Sequence, residues 1–243
     1  FVDVFRKHGV EISMNEARGP MGLRKDLHIK ALTEIPELRQ RWTGIHGCEP
    51  DQTDVDRMFA DFVPMQLECL RKYTTLLPHV AEVTQTFQKQ GIKIGSSTGF
   101  FRSMVDILEA DAKEQGYVPD ASVAGDEVEN GARPKPFMVY RNLDLMDVHP
   151  IQSVVKVDDT VSGVGEALEA SCWGVGIARY SNYMDIDSLE HLESLPQSEI
   201  QRRLAVTREI LQKAGAHYVI DTFDQLPDVI EDINLRLGRG ETP

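Results

Sequence analysis

Lys25 and His28 stand three residues apart in the run Met21-Gly22-Leu23-Arg24-Lys25-Asp26-Leu27-His28, a pairing suited to carbonyl chemistry. At 100° per residue, Met21, Lys25, His28 and Leu32 fall in one stripe of a helix, with Asp26 and Lys30 on the opposite side. An amine held against apolar side chains has its charged form disfavoured, so its pKa falls and its nucleophilic fraction rises. Such a lysine can form a Schiff base, and an imidazole one turn on can move protons as the imine forms. The same spacing also suits a lysine lying along a helix edge beside an ordinary surface histidine. Residue types alone leave both open.

Three further clusters could handle phosphate or metal. Ser96-Ser97-Thr98-Gly99 supplies hydroxyls and small residues where a strand meets a helix, which makes either an anion site or an ordinary helix cap. Arg133-Pro134-Lys135-Pro136 sets an arginine fork in a stiff turn, suited to phosphate oxygens or simply to solvent. Asp158-Asp159 follows the Val-rich run Val154-Val155-Lys156-Val157. Paired carboxylates at a strand end hold Mg²⁺ with water and phosphate; they also serve as helix N-caps.

The elements that must position these residues come in two kinds. Residues 1–75 read as helical throughout: 21–33, 37–42 and a long stretch over 51–73, with Val55, Met58, Phe59, Phe62, Met65 and Leu70 at helical spacing. A block of this kind is a cap, a lid or part of a bundle. Residues 76–243 alternate strand and helix. Strands are predicted at 92–96, 121–124, 154–157, 173–178 and 218–221, and helices at 101–114, 137–145, 165–170, 199–213 and 225–237. Alternation of this kind gives an α/β fold, a doubly wound parallel sheet with active groups at the carboxyl ends of its strands. Thr98, Gly99, Asp158 and Asp159 fall where that rule puts chemistry.

Composition narrows the function. The net charge is −13 over 243 residues, which argues against a nucleic-acid partner. No apolar run approaches the roughly 20 residues of a membrane span. Cys48, Cys69 and Cys172 are odd in number and lack CxxC spacing, which fits structural thiols in a reducing cytoplasm or mitochondrial matrix. No GxGxxG, P-loop, HExxH or GxSxG pattern occurs.

In order and spacing the clusters resemble one family, the phosphonoacetaldehyde hydrolases (phosphonatases) of the haloacid dehalogenase superfamily. Ala17-Arg18-Gly19-Pro20-Met21-Gly22-Leu23 with Lys25 and His28 is similar to that family's cap signature. Gly91 to Gly99, Arg133 to Met138 and Lys156 to Thr160 resemble its second, third and fourth core motifs, and Gly215 to Asp221 its C-terminal strand. The resemblance implies a Rossmann-like core over 76–243 and a helical cap over 1–75. It also implies hydrolysis of a carbon–phosphorus bond. Lys25 would form the Schiff base, assisted by His28 and Met21; Thr98, Gly99 and Arg133 would hold the phosphoryl group; Asp159, with Asp158, would bind Mg²⁺. A homodimer through the cap and a small phosphonate substrate follow from the same likeness.

Three positions depart from the family pattern. The motif Asp-x-Ala-Gly-Thr, with the attacking aspartate and a central strand, is absent and is expected upstream of Phe1, so that the sheet lacks its first strand. Phe100 stands where a tyrosine is frequent. Gly163 stands where some members place a second acid, which adjacent Asp158 would replace. Two other readings remain: a phosphomonoester phosphatase or phosphomutase of the same superfamily, which needs no lysine, and a truncated, non-catalytic dimer partner.

Overall fold

The computed structural model describes residues 1–243. Its first third is helical: α1 (Val2–Lys7), α2 (Met14–Arg18), α3 (Lys25–Glu34), α4 (Pro36–His46) and α5 (Gln52–Leu70), closed by a 3-10 turn over Arg71–Tyr73. Local chemistry sets the boundaries. Ser13 with Glu16, and Asp51 with Asp54, form capping boxes at the starts of α2 and α5. Pro36 opens α4, and Gly47 closes it in the left-handed region. The inward faces share one apolar core that includes Phe5, Leu32, Leu38, Trp42, Met58 and Phe62.

The helix expected over 21–33 begins only at Lys25, because Gly22 takes a φ of +94° and Arg24 is extended. Met21 therefore lies in the turn before α3, off the predicted stripe. Lys25, His28 and Leu32 do share the buried face.

The remaining chain alternates as expected. It runs α6 (Val80–Lys89), β1 (Gly95–Thr98), α7 (Arg102–Glu114), β2 (Ala121–Ala124), α8 (Phe137–Met146), β3 (Val155–Asp158), α9 (Val161–Ala170), β4 (Trp173–Ile177), α10 (Leu189–Ser194), α11 (Gln197–Lys213), β5 (Tyr218–Ile220) and α12 (Leu226–Gly238). Every strand pair is parallel. The first strand starts later than its apolar residues predict, since the Asp120 carboxylate takes the Ile94 N–H at 2.8 Å and pairing with β2 begins at Gly95. By contrast α9 starts four residues earlier than predicted, because the Thr160 hydroxyl accepts the Gly163 N–H at 3.0 Å and caps it.

The strands form two sheets, β1–β2 and β3–β4–β5. Between β1 and β3 lies a cavity of about 550 Å³, lined by Gly95, Ser96 and Ser97 on one side and by Val155, Val157 and Asp158 on the other. The apolar layer behind the larger sheet includes Phe87, Trp173, Val175, Ile220 and Ile233. No helix is long and apolar enough to cross a membrane.

Candidate active site

Thr98 and Gly99 close β1, Asp158 closes β3, and Arg133 sits in the turn before α8, so all open toward one edge of the sheets. The turn 21–24 rests on that edge. A Cβ at Gly99 would come within 2.5 Å of the Leu23 carbonyl oxygen, and one at Gly22 within 2.1 Å of Ser162 Oγ. These two glycines permit the close approach that carries Lys25 over the strand ends. The Ser162 hydroxyl adds a hydrogen bond of 3.4 Å to the Met21 carbonyl.

Beneath the edge, four buried charges alternate in sign. Arg133 Nε contacts Glu166 Oε2 at 3.1 Å, and its Nη2 lies 3.2 Å from Asp158 Oδ2. Lys156 Nζ reaches the same two acids at 2.8 Å (Asp158) and 3.2 Å (Glu166). Arg133 Nη2 also donates to the Ser97 carbonyl at 2.8 Å, which fixes the fork beside β1. Asp158 Oδ1 accepts from Thr160 N at 3.0 Å and from Thr160 Oγ1 at 2.7 Å. Burial alone would raise the Asp158 carboxyl, but the Arg133 and Lys156 charges hold it well below the usual carboxylate range. Both its oxygens are engaged within the protein.

Asp159 behaves oppositely. Burial, then the charge of Asp158, pushes its carboxyl up to about 6 against the pull of Arg133. Its carboxylate has no ion-pair partner, while its backbone carbonyl accepts from Ser181 Oγ at 2.6 Å. An oxygen donor repelled by a neighbouring anion, and outside any ion pair, suits a hard divalent ion. No group of three or more His, Cys, Asp or Glu side chains that could hold a metal gathers around it.

Above the edge, Lys25 is 8% exposed, and its Nζ lies 4.4 Å from the centre of the Phe100 ring. Burial, followed by the Arg133 charge, lowers its amine from the ordinary 10.5 to about 8. His28 is fully buried; its Nε2–H donates to the Ala17 carbonyl at 2.8 Å, and its ring stacks on Phe1 at 3.7 Å. Burial drives the imidazole down to about 3, so it is neutral, and Nδ1 is an acceptor without a partner.

The structure thus brings together Lys25, His28, Thr98, Gly99, Arg133, Asp158 and Asp159, with the Met21 backbone at their margin. Sequence reasoning assigned no role to Lys156 or Glu166. A signal for Glu166 existed: it falls with Gly163, Val164, Ala167 and Ala170 on the buried stripe of α9, the one charged residue there. Lys156 shares a strand face with Asp158 by simple alternation. The expected thiols divide into exposed Cys48, half-buried Cys69 and buried Cys172, the last pushed up to about 11 by burial.

Several known proteins are similar in sequence over nearly the whole chain. The phosphonoacetaldehyde hydrolase of Bacillus cytotoxicus is 42% identical over 233 residues, 96% of this chain and 88% of the relative. That of Syntrophobacter fumaroxidans is 38% identical over 243 residues, all of this chain and 87% of the relative. The crystal structure of a phosphonoacetaldehyde hydrolase-like protein from Oleispira antarctica superposes with a TM-score of 0.96 at 35% identity, covering 100% of this chain and 87% of that one. A HAD hydrolase of family IA from Entamoeba histolytica shares the fold, with a TM-score of 0.54 at 16% identity over 83% of this chain and 88% of its own. No protein-family model matches the chain.

Proposed function

Because the chain belongs to the phosphonoacetaldehyde hydrolase family, hydrolases built on the haloacid dehalogenase fold, we propose that it cleaves the carbon–phosphorus bond of phosphonoacetaldehyde to acetaldehyde and phosphate. The observation that carries this reading is Lys25, a buried amine with a depressed pKa beside the Arg133 turn and the β3 end that bears Asp159. At pH 7 about one such amine in ten is neutral, against about one in three thousand at the ordinary value.

On this reading Lys25 Nζ attacks the aldehyde carbon, water leaves, and a protonated imine forms. When an attacking carboxylate bonds to phosphorus, the electron pair of the breaking carbon–phosphorus bond moves toward the iminium nitrogen. The carbon fragment leaves as an enamine, and the phosphoryl group is left as an acyl phosphate for water to cleave. Protonation and hydrolysis of the enamine return acetaldehyde and the free lysine. His28, which burial keeps neutral, and Met21 assist around the lysine, His28 from one turn further along the buried face of α3. Thr98, Gly99 and Arg133 hold the phosphoryl oxygens.

Asp159 would hold Mg²⁺, which would supply positive charge to the phosphoryl oxygens. Asp158 acts as the internal counter-ion that orients Arg133. The attacking carboxylate, on this reading, would be carried by a further strand between β1 and β3, where the cavity separates the two sheets. The protein works as a homodimer through residues 1–75, a layer that exposes Met14, Ile45 and Tyr73.

Borohydride reduction in the presence of phosphonoacetaldehyde, followed by peptide mapping, tests the central step. Label on Lys25 is expected; label elsewhere, or none, removes the reading. Turnover that survives in Lys25→Ala would favour a phosphomonoester phosphatase, which needs no amine.

A further inference from the structure

The turn that delivers Lys25 is fastened at its start by Arg18. The fastening runs to the loop after β4 rather than into the helical layer itself. The Arg18 side chain is only 13% exposed, and its guanidinium bridges two carboxylates, Asp185 through Nη1 and Asp187 through Nη2 at 2.6 Å. The Arg18 carbonyl in turn accepts from Asn182 Nδ2 at 3.3 Å.

The receiving loop is a firm seat. Met184 is fully buried, and Arg203 Nη1 donates to the Met184 carbonyl at 2.9 Å and to the Asp185 carbonyl at 2.6 Å. Its first residue, Ser181, donates to the Asp159 carbonyl, and Tyr183 Oη accepts the Val161 N–H at 3.1 Å. On the other side, Ala17, next to Arg18, accepts the His28 hydrogen bond. One connected path therefore runs from His28 through Ala17 and Arg18 to the 181–187 loop, and on to Asp159.

We propose that Arg18 is a positioning residue: it seats the helical layer on the 181–187 loop and so sets Lys25 in register with Arg133 and Asp159. The proposal rests on the reading of Lys25 as the imine-forming amine. Partly exposed ion pairs add little to stability. A planar fork shared by two carboxylates, with the same residue's carbonyl also bound, instead fixes direction, which a lysine's point charge would not reproduce. Misplacement of a reacting group by about 1 Å can lower turnover about a hundredfold.

The test compares wild type, Arg18→Ala, Arg18→Lys and the pair Asp185→Asn/Asp187→Asn. The measurements are kcat and KM for phosphonoacetaldehyde, borohydride trapping at Lys25, and the melting temperature. A fall in kcat of about tenfold or more is expected for Arg18→Ala and for the Asn pair, with a smaller fall for Arg18→Lys, slower trapping and an unchanged melting temperature. Values of kcat within about twofold of wild type overturn the proposal, as does a loss that merely follows a lowered melting temperature. If Arg18→Ala does not fold, the Asn pair decides, because Asp185 and Asp187 are 60% and 69% exposed and can be neutralised without opening the core. Absence of Lys25 label in the wild type would instead remove the functional reading, a separate outcome from normal label with unchanged kinetics in the variants.

Discussion

Replacing Lys25 with methionine is expected to stabilise the protein while abolishing turnover. In the folded chain the amine titrates at about 8 instead of 10.5, chiefly through burial and then the Arg133 charge, with Asp159 acting in the opposite sense. That gap corresponds to roughly 3 kcal/mol disfavouring the charged form. The folded pKa is the lower one, so the unfolded chain binds the proton more tightly. The penalty is fully present below pH 8 and fades as pH rises toward 10.5. Methionine matches the length of the stem and has no charge to bury, but it loses the contact with the Phe100 ring, worth about 0.5–2 kcal/mol. The net gain at pH 7 is therefore about 1–3 kcal/mol. Urea unfolding of both proteins at pH 7 and pH 10, followed by circular dichroism, reads the difference directly. A variant less stable than wild type at pH 7, or a gap that does not narrow by pH 10, would refute the reasoning.

Glu166→Gln leaves Arg133 and Lys156 with one buried anion between them and should destabilise by roughly 3 kcal/mol or more; an unchanged urea midpoint would show that the four charges do not act together. Gly99→Ala places a methyl group 2.5 Å from the Leu23 carbonyl oxygen. It should cost about 1–3 kcal/mol and lower kcat/KM as the 21–24 turn lifts, and equal kinetics would contradict the close approach. Asp159, raised to about 6, becomes protonated as pH falls through that value, so Mg²⁺ binding should weaken between pH 7.5 and pH 5. Titration calorimetry checks this, and Asp159→Asn should remove both the binding and its pH dependence.

Much of this architecture is legible in the chain because it depends on short-range patterns. The period of Lys25, His28 and Leu32 puts them on one helical face whatever lies opposite. The Val-rich run before Asp158 marks a strand end before any partner strand is known, and alternation alone places Lys156 and Asp158 on the same side. Where local pattern failed, a contact from elsewhere in the chain intervened. Met21 left the helix because the Gly22 backbone bends to pack against Thr160 and Ser162, and β1 began at Gly95 because Asp120 had taken the Ile94 N–H. The division of labour between Asp158 and Asp159 is the clearest case. They are neighbours of one residue type, yet Asp158 faces Arg133 from one turn and Lys156 from its own strand, while the Asp159 carboxylate enters no ion pair. Sequence by itself determined which residues stand at the strand ends. Only the tertiary structure decided which of them are neutralised and which are left to bind, because charge pairing in a low-dielectric interior depends on distances between segments that local sequence does not encode.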